Sequence, residues 1–272
     1  MIEIILMCMV ISFASVVLVI NPMIKFLRKA EIIGIDQQKS DKPRLPTSAG
    51  LIVMIGILSG IFTFIGIDSF ILHANNNLSY ILAGTLSILI ITLVGFFDDI
   101  IINPIPKENK GVASYRVGLR QREKALLVLP AAIPLMAVKA GTTTMSLPLF
   151  GPINFGIIYP LIFIPLAVLC VANATNMLAG MNGLEAGLGL IATTALGIYG
   201  FIFHSIEAML FAFVTAGALG ALLFWNWYPA KILPGDSLTY LVGAAIVTTT
   251  VLGNMEKFGI IIFTPWLSLI HI

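Results

Sequence analysis

The sequence predicts an all-α polytopic transmembrane bundle of about nine helices. Two observations carry that expectation. Apolar residues make up 58% of the 272-residue chain and charged residues only 10%, with a mean hydropathy of +1.03, whereas a soluble domain carries roughly 25% charge. The apolar residues also cluster into separate runs, several long enough to span a hydrocarbon core of about 30 Å.

The runs follow in order. Residues 2–20 hold one charge, Glu3, and Asn21-Pro22 is expected to end or kink them. No basic leader and no small-residue cleavage site accompanies this run, so it reads as a retained anchor. Further runs cover residues 49–67, 80–97, 125–138, 157–171, 188–203, 208–224, 238–252 and 258–272. Residues 125–138 form a short run that contains Pro130 and Pro134, and the sidedness of everything after it depends on its crossing. Between it and the next run, residues 141–156 alternate small, polar and apolar types around two prolines, which suits a small external hairpin.

Lysine and arginine test the topology. The loop 20–49 holds Lys25, Arg28, Lys29, Lys39, Lys42 and Arg44; the loop 98–124 holds Lys107, Lys110, Arg116, Arg120, Arg122 and Lys124. Two helices separate these loops, so they share one side, and the excess of positive charge makes that side cytosolic. Alternation puts the loops 172–187 and 225–237 there too. Thirteen of the fifteen basic residues then lie inside; Lys139 and Lys257 lie outside. Cys8 and Cys170 sit apart in apolar runs, and His73, His204 and His271 are scattered, so neither a disulfide framework nor a Cys/His metal site is spelled out.

The polar chemistry gathers in the four inside loops. Asp98 and Asp99 end an apolar run, where carboxylates oppose the helix macrodipole at about 0.3–1 kcal/mol each and repel one another. A divalent cation offsets both, and carboxylates and amides suit Mg²⁺ or Mn²⁺. Asn176, Asn182 and Asp236 are further oxygen donors, and nearby lysine and arginine suit phosphate. Carboxylates, a hard metal and basic residues on one face suggest phosphoryl transfer. Each feature also has a plain reading. An Asp pair is a solvated helix end, Asn and Gly make turns, basic loops set topology, and Trp225, Trp227 and Tyr228 form an interfacial belt.

The third loop, Asn-Ala-Thr-Asn-Met-Leu-Ala-Gly-Met-Asn-Gly-Leu-Glu over residues 173–185, together with Asn226-Trp227-Tyr228-Pro229, Gly235-Asp236-Ser237 and the run 95–99, resembles the polyprenyl-phosphate N-acetylhexosamine-1-phosphate transferases of glycosyltransferase family 4. The wording is most similar to the branch that makes dolichyl-diphosphate-N-acetylglucosamine; the bacterial muramoyl-pentapeptide branch typically has Asp-Gly-Leu-Asp-Gly there. The resemblance implies a single membrane transferase domain over 1–272. It would use UDP-N-acetylglucosamine and a dolichyl or other polyprenyl phosphate, release UMP, and open N-glycan or cell-surface glycan synthesis from an archaeal cell membrane or the endoplasmic reticulum. By position it implies Asn176 and Asp236 as Mg²⁺ ligands, with Mn²⁺ as a substitute. Asp98 and Asp99 would stand beside the metal and lipid phosphate, with Lys124 at the diphosphate. Gly180 and Asn182 would hold the uridine end with Glu185 supporting the loop, and Arg120 and Arg122 would contact substrate. A homodimer is compatible with the resemblance, and no nucleic acid is called for. The resemblance also implies ten helices and a basic loop after the ninth. The sequence stops inside its ninth run, which reads as a C-terminal truncation.

The reaction so implied is a direct displacement. A second phosphate pKa near 6 leaves the lipid phosphate roughly 90% dianionic at pH 7, so metal charge and positioning carry the work, and Asp98 as a covalent nucleophile is the alternative. Rival readings are an undecaprenyl-phosphate transferase of bacterial type and, from another class, a secondary transporter. A transporter favours charges at the midplane; here they fall at helix ends.

Overall fold

The computed structural model describes residues 1–74, 77–101, 121–147 and 151–269. Nine helical rods account for most of these residues: α1 (Ile2–Lys29), α2 (Gly50–Ile67), α3 (Leu78–Ile101), a rod made of α4 (Gln121–Val128) and α5 (Ile133–Ala137), α6 (Ile164–Met177), α7 (Leu184–Ile202), α8 (Ile206–Asn226), α9 (Gly235–Leu252), and a last pair, α10 (Glu256–Ile262) and α11 (Thr264–Leu269). A π-helical turn, Asp68–Leu72, extends α2, and another, Tyr159–Phe163, precedes α6. Seven helices among the described residues are long and apolar enough to cross a membrane. The chain is therefore an all-α, multi-pass membrane protein.

Pro22 does not end the first helix. It lies inside α1, which continues to Lys29, so Lys25, Arg28 and Lys29 ride on its final turns. An unpaired backbone group at membrane depth costs more than one missing helical bond, so the helix persists past the proline. Outward residues such as Leu18 and Phe26 are exposed along α1 while Ile5, Val16, Ile20 and Leu27 are fully buried, the division expected of a helix with one face on lipid.

The short rod packs along α3 and is too short to count among the seven candidate spans. Lys124 in α4 meets the end of α3 at Asp98. Halfway along, Ser87 Oγ donates to Ala131 O at 2.6 Å. This carbonyl lies in the 3₁₀ turn Leu129–Ala132, where Pro130 and Pro134 interrupt the regular ladder. Beyond α5, the strands β3 (Thr144–Leu147) and β4 (Gly151–Asn154) pair antiparallel, giving the hairpin expected at 141–156. The segments after α1, α6 and α8 meet the last turn of α3 at one end of the bundle, with Lys139 and Lys257 at the other; the loop 98–124 lies largely outside the described residues.

That end carries a second hairpin the apolar runs did not announce. β1 (Ile33–Ile35) pairs antiparallel with β2 (Arg44–Pro46). Its edge holds the fourth loop: Leu233 N donates to Pro46 O at 2.8 Å, and Ala49 N to Pro234 O at 2.9 Å.

α9 is the centre of the bundle. Ser237 through Leu252 are all buried, and α3, α6, α2, α8 and α7 pack around it. Lipid offers no hydrophobic gain for helix association, so close packing and polar contacts must hold such a core. At the N-terminal end of α9 the approach is through glycine. A Cβ on Gly95 of α3 would stand 2.4 Å from Asp236 O, and one on Gly50 of α2 would stand 2.3 Å from Ser237 C. Three helices therefore meet backbone to backbone where Asp98, Asp99 and Asp236 are carried.

Candidate active site

Asp98 and Asp99 are adjacent in sequence but have different tasks. Successive residues on an α-helix point about 100° apart, and the two carboxylates take different partners around the start of α9. Asp98, 1% exposed, pairs through Oδ2 with Lys124 Nζ. Asp99 turns to the start of α9. Its Oδ1 accepts from Asp236 N at 2.7 Å, and its Oδ2 from Ser237 N at 3.2 Å and Ser48 Oγ at 2.8 Å. The first turn of a helix leaves backbone N–H groups without intrahelical partners. α9 begins without a side-chain cap of its own, and Asp99 supplies one from α3. Gly235 makes room for it: its φ is +69° and a Cβ there would lie 2.5 Å from Asp99 Oδ2. The two carboxylates thus have different partners, Asp98 pairing with Lys124 and Asp99 holding α9 in place while also lining the cavity beside Asp236.

Lys124 joins three helices. Its ammonium also donates to Asp236 Oδ2 at 2.7 Å, so one cation bridges carboxylates from α3 and α9. Asn176, in the last turn of α6, brings its Nδ2 within 3.4 Å of the same Asp236 oxygen, and its Oδ1 accepts from Thr239 Oγ1 at 2.8 Å. The amide could turn over without losing Thr239, whose hydroxyl accepts as well as donates; the Asn176 oxygen would then face Asp236. Asn176, Asp236, Asp98 and Lys124 come together in one cluster.

The third loop borders a cavity of about 300 Å³ beside this cluster, with Asp36, Thr47, Gly180, Asn182, Glu185 and Asp236 among its walls. Glu185, 6% exposed, accepts from Gly180 N through Oε1 at 2.6 Å. Gly180 has φ +143°, a conformation open to glycine. Asn182 has unexpected partners: its Nδ2 donates to Asp36 Oδ2 at 3.1 Å and its backbone N to Gln38 Oε1 at 2.9 Å. Gly183 N donates to the buried Asn226 Oδ1 at 3.1 Å, and Asn226 Nδ2 reaches Ile232 O at 3.0 Å. Arg120 lies outside the described residues, and Arg122 stands on α4.

Sequence reasoning missed Asp36, Gln38, Ser48, Asn226 and Thr239 as parts of this site. Asp36 is the most informative. Burial pushes its carboxyl up, but hydrogen bonds from Asn182, the Gln38 N–H and Lys39, with the Lys39 charge, outweigh that and hold it below the usual carboxylate range. Lys39 Nζ lies 3.4 Å from Asp36 Oδ2 and donates to Ala230 O at 3.0 Å, so one residue pair ties the first, third and fourth loops. The signal available was Asp36 and Lys39 three residues apart in a loop otherwise dominated by basic residues.

Residues 81–254 match the profile of glycosyl transferase family 4. A protein of Saccharolobus solfataricus, provisionally named UDP-N-acetylglucosamine–dolichyl-phosphate N-acetylglucosaminephosphotransferase, is 34% identical over 96% of this chain and 74% of its own length. The Dictyostelium discoideum protein of that name is 28% identical over 87% of this chain and 63% of its own. A phospho-N-acetylmuramoyl-pentapeptide-transferase of Clostridium perfringens is 30% identical over 95% of this chain and 78% of its own length. The match covers every helix that carries the cluster, and with it the conclusion that this chain belongs to glycosyl transferase family 4.

Proposed function

We propose that the chain transfers N-acetylglucosamine 1-phosphate from UDP-N-acetylglucosamine to dolichyl phosphate or a similar polyprenyl phosphate, releasing UMP at the cytosolic face with the help of Mg²⁺. One observation carries the reading. Carboxylates and an amide from α3, α6 and α9 meet the Lys124 ammonium beside a cavity walled by the third loop. The names of the archaeal and Dictyostelium relatives support the donor and acceptor.

The residues fit Mg²⁺. Among the described residues no three His, Cys, Asp or Glu side chains form a ready-made cage. Mg²⁺ rarely uses one; it takes one or two carboxylates and completes its shell with substrate phosphates and water. Asn176 and Asp236 would hold it, with Asp98 close behind. When bound, Mg²⁺ supplies charge that polarises the diphosphate.

The chain's own residues do the rest. The 180–185 loop receives the uridine end, fixed by Glu185 from beneath and by Asp36 and Gln38 through Asn182. Lys124 lies where it can neutralise diphosphate oxygens. A lipid-phosphate oxygen attacks the β-phosphorus, the bond from that phosphorus to the bridging oxygen breaks, and UMP departs with the bridging oxygen. The dianionic nucleophile has no proton to lose, so no general base is required. Asp98 is ion-paired with Lys124, which blunts it as a nucleophile and favours single displacement over a covalent intermediate.

The muramoyl-type relatives make the acceptor branch worth testing directly. Purified protein should release UMP from UDP-N-acetylglucosamine with dolichyl phosphate, and chelation should stop it. UMP release only from UDP-N-acetylmuramoyl-pentapeptide with undecaprenyl phosphate would overturn the assignment.

A further inference from the structure

We infer that Lys124 is a built-in counter-ion that a divalent cation must displace from Asp98 and Asp236. The inference rests on the metal reading above and goes beyond it, since it assigns Lys124 two alternative positions. Lys124 Nζ bonds Asp236 Oδ2 at 2.7 Å and is ion-paired with Asp98 Oδ2, and Asn176 approaches that same Asp236 oxygen. The oxygens offered to a cation are thus already held by an ammonium, and the two cations cannot occupy one place.

The reason for such an arrangement lies in burial. Asp98 and Asp99 are almost inaccessible, and Asp236 is only about one-fifth exposed. Three carboxylates so placed without a cation would destabilise the junction of α3 and α9, because an uncompensated buried charge is strongly unfavourable. Lys124 supplies the missing charge while the site is empty. It is suited to leaving: it stands on α4, apart from the glycine-mediated junction, its side chain is 15% exposed, and its ammonium is a mobile point charge on a flexible stem. Displaced by the metal, the ammonium is released beside the cavity, where a diphosphate is its natural partner. The enzyme would thereby keep its substrate-binding cation engaged until the metal has arrived.

The consequence is unusual: removing this basic residue should strengthen metal binding. Mn²⁺, read by electron paramagnetic resonance on purified full-length protein, is the probe. Lys124→Met should bind Mn²⁺ at least about tenfold more tightly than the parent, the scale of one lost charge-assisted contact, although its turnover falls. Lys124→Arg retains a competing cation and should not bind more tightly. In the unaltered protein Mn²⁺ should speed acylation of Lys124 by a water-soluble amine reagent, read by peptide mass spectrometry. That second measurement decides the matter if Lys124→Met does not fold. Equal or weaker Mn²⁺ binding by folded Lys124→Met, or Mn²⁺ leaving Lys124 no more reactive, overturns the inference. If Asp236→Asn still abolishes Mn²⁺ binding, the metal reading survives that failure; if Mn²⁺ binds none of the variants, both fall.

Discussion

Gly95→Ala is the smallest change that should separate the carboxylates without touching any of them. Gly95 lies one turn before Asp98 and Asp99 on α3. An added Cβ would stand 2.4 Å from Asp236 O, 2.6 Å from Asp236 C and 2.7 Å from Ser237 Cα. All three are backbone atoms of α9, so no side chain can swing aside. Ordinary van der Waals contact begins near 3.4 Å, so the two helices must part by about 1 Å. Overpacking of this kind costs about 1–3 kcal/mol. The same displacement lengthens the Asp99 contacts to Asp236 N and Ser237 N, whose loss as a helix cap adds about 0.5–2 kcal/mol. Misplacing catalytic groups by 1 Å is worth about 10²-fold in rate. Gly66→Ala is the control, because a Cβ there meets nothing within 4 Å. The assays are UMP release and thermal unfolding in detergent, run on both variants. A Gly95→Ala protein with the turnover and stability of the control would refute the argument that this glycine sets the register of α3 on α9.

The other predictions are simpler. Asp236→Asn keeps shape but removes charge, so turnover should fall by orders of magnitude while the protein still inserts; near-normal UMP release would remove Asp236 from the essential set. Asp36→Asn should raise the KM for the UDP-sugar more than it lowers kcat, because it loosens Asn182. Since the folded-state pKa of Asp36 is depressed, its stabilising contribution is present above the unfolded value of about 3.9 and is lost as pH falls through the folded value. The stability gap between parent and Asp36→Asn should therefore be full at neutral pH and close under acid, and a gap that grows on acidification would contradict the sign. In a cysteine-free background, Lys231→Cys should react with impermeant thiol reagents from the cytosolic side and His204→Cys from the opposite side only. Labelling of both from one side would break the topology, most simply at the α4–α5 rod.

Helices were legible because lipid makes a simple demand. Every backbone group must be paired within its own segment, so an apolar run of sufficient length has few alternatives to a helix. The hairpin β3–β4 was legible for a related reason, since alternation and prolines at 141–156 suit a hairpin. The hairpin β1–β2 was not. Its strands are three residues each, too short for periodicity to register, and what holds them is the fourth loop, nearly 190 residues later. Asp36 was missed with it.

The Asp98–Asp99 pair shows a subtler limit. A dipeptide invites the reader to assign both residues one role, yet the two side chains take different partners. What the sequence could not say was which paired with Lys124 and which capped a neighbouring helix; Gly95 decides that. Asp98 follows it by three residues and Asp99 by four, so the small side of α3 and its carboxylates share a face. The backbone contact that Gly95 permits brings Asp99 onto the first N–H groups of α9. Asp98, turned about 100° away, is left for Lys124. Asp236 is then fixed from its own main chain, since the atom Asp99 holds is Asp236 N. The position of the Asp236 carboxylate is thereby set by a glycine and a capping aspartate on another helix.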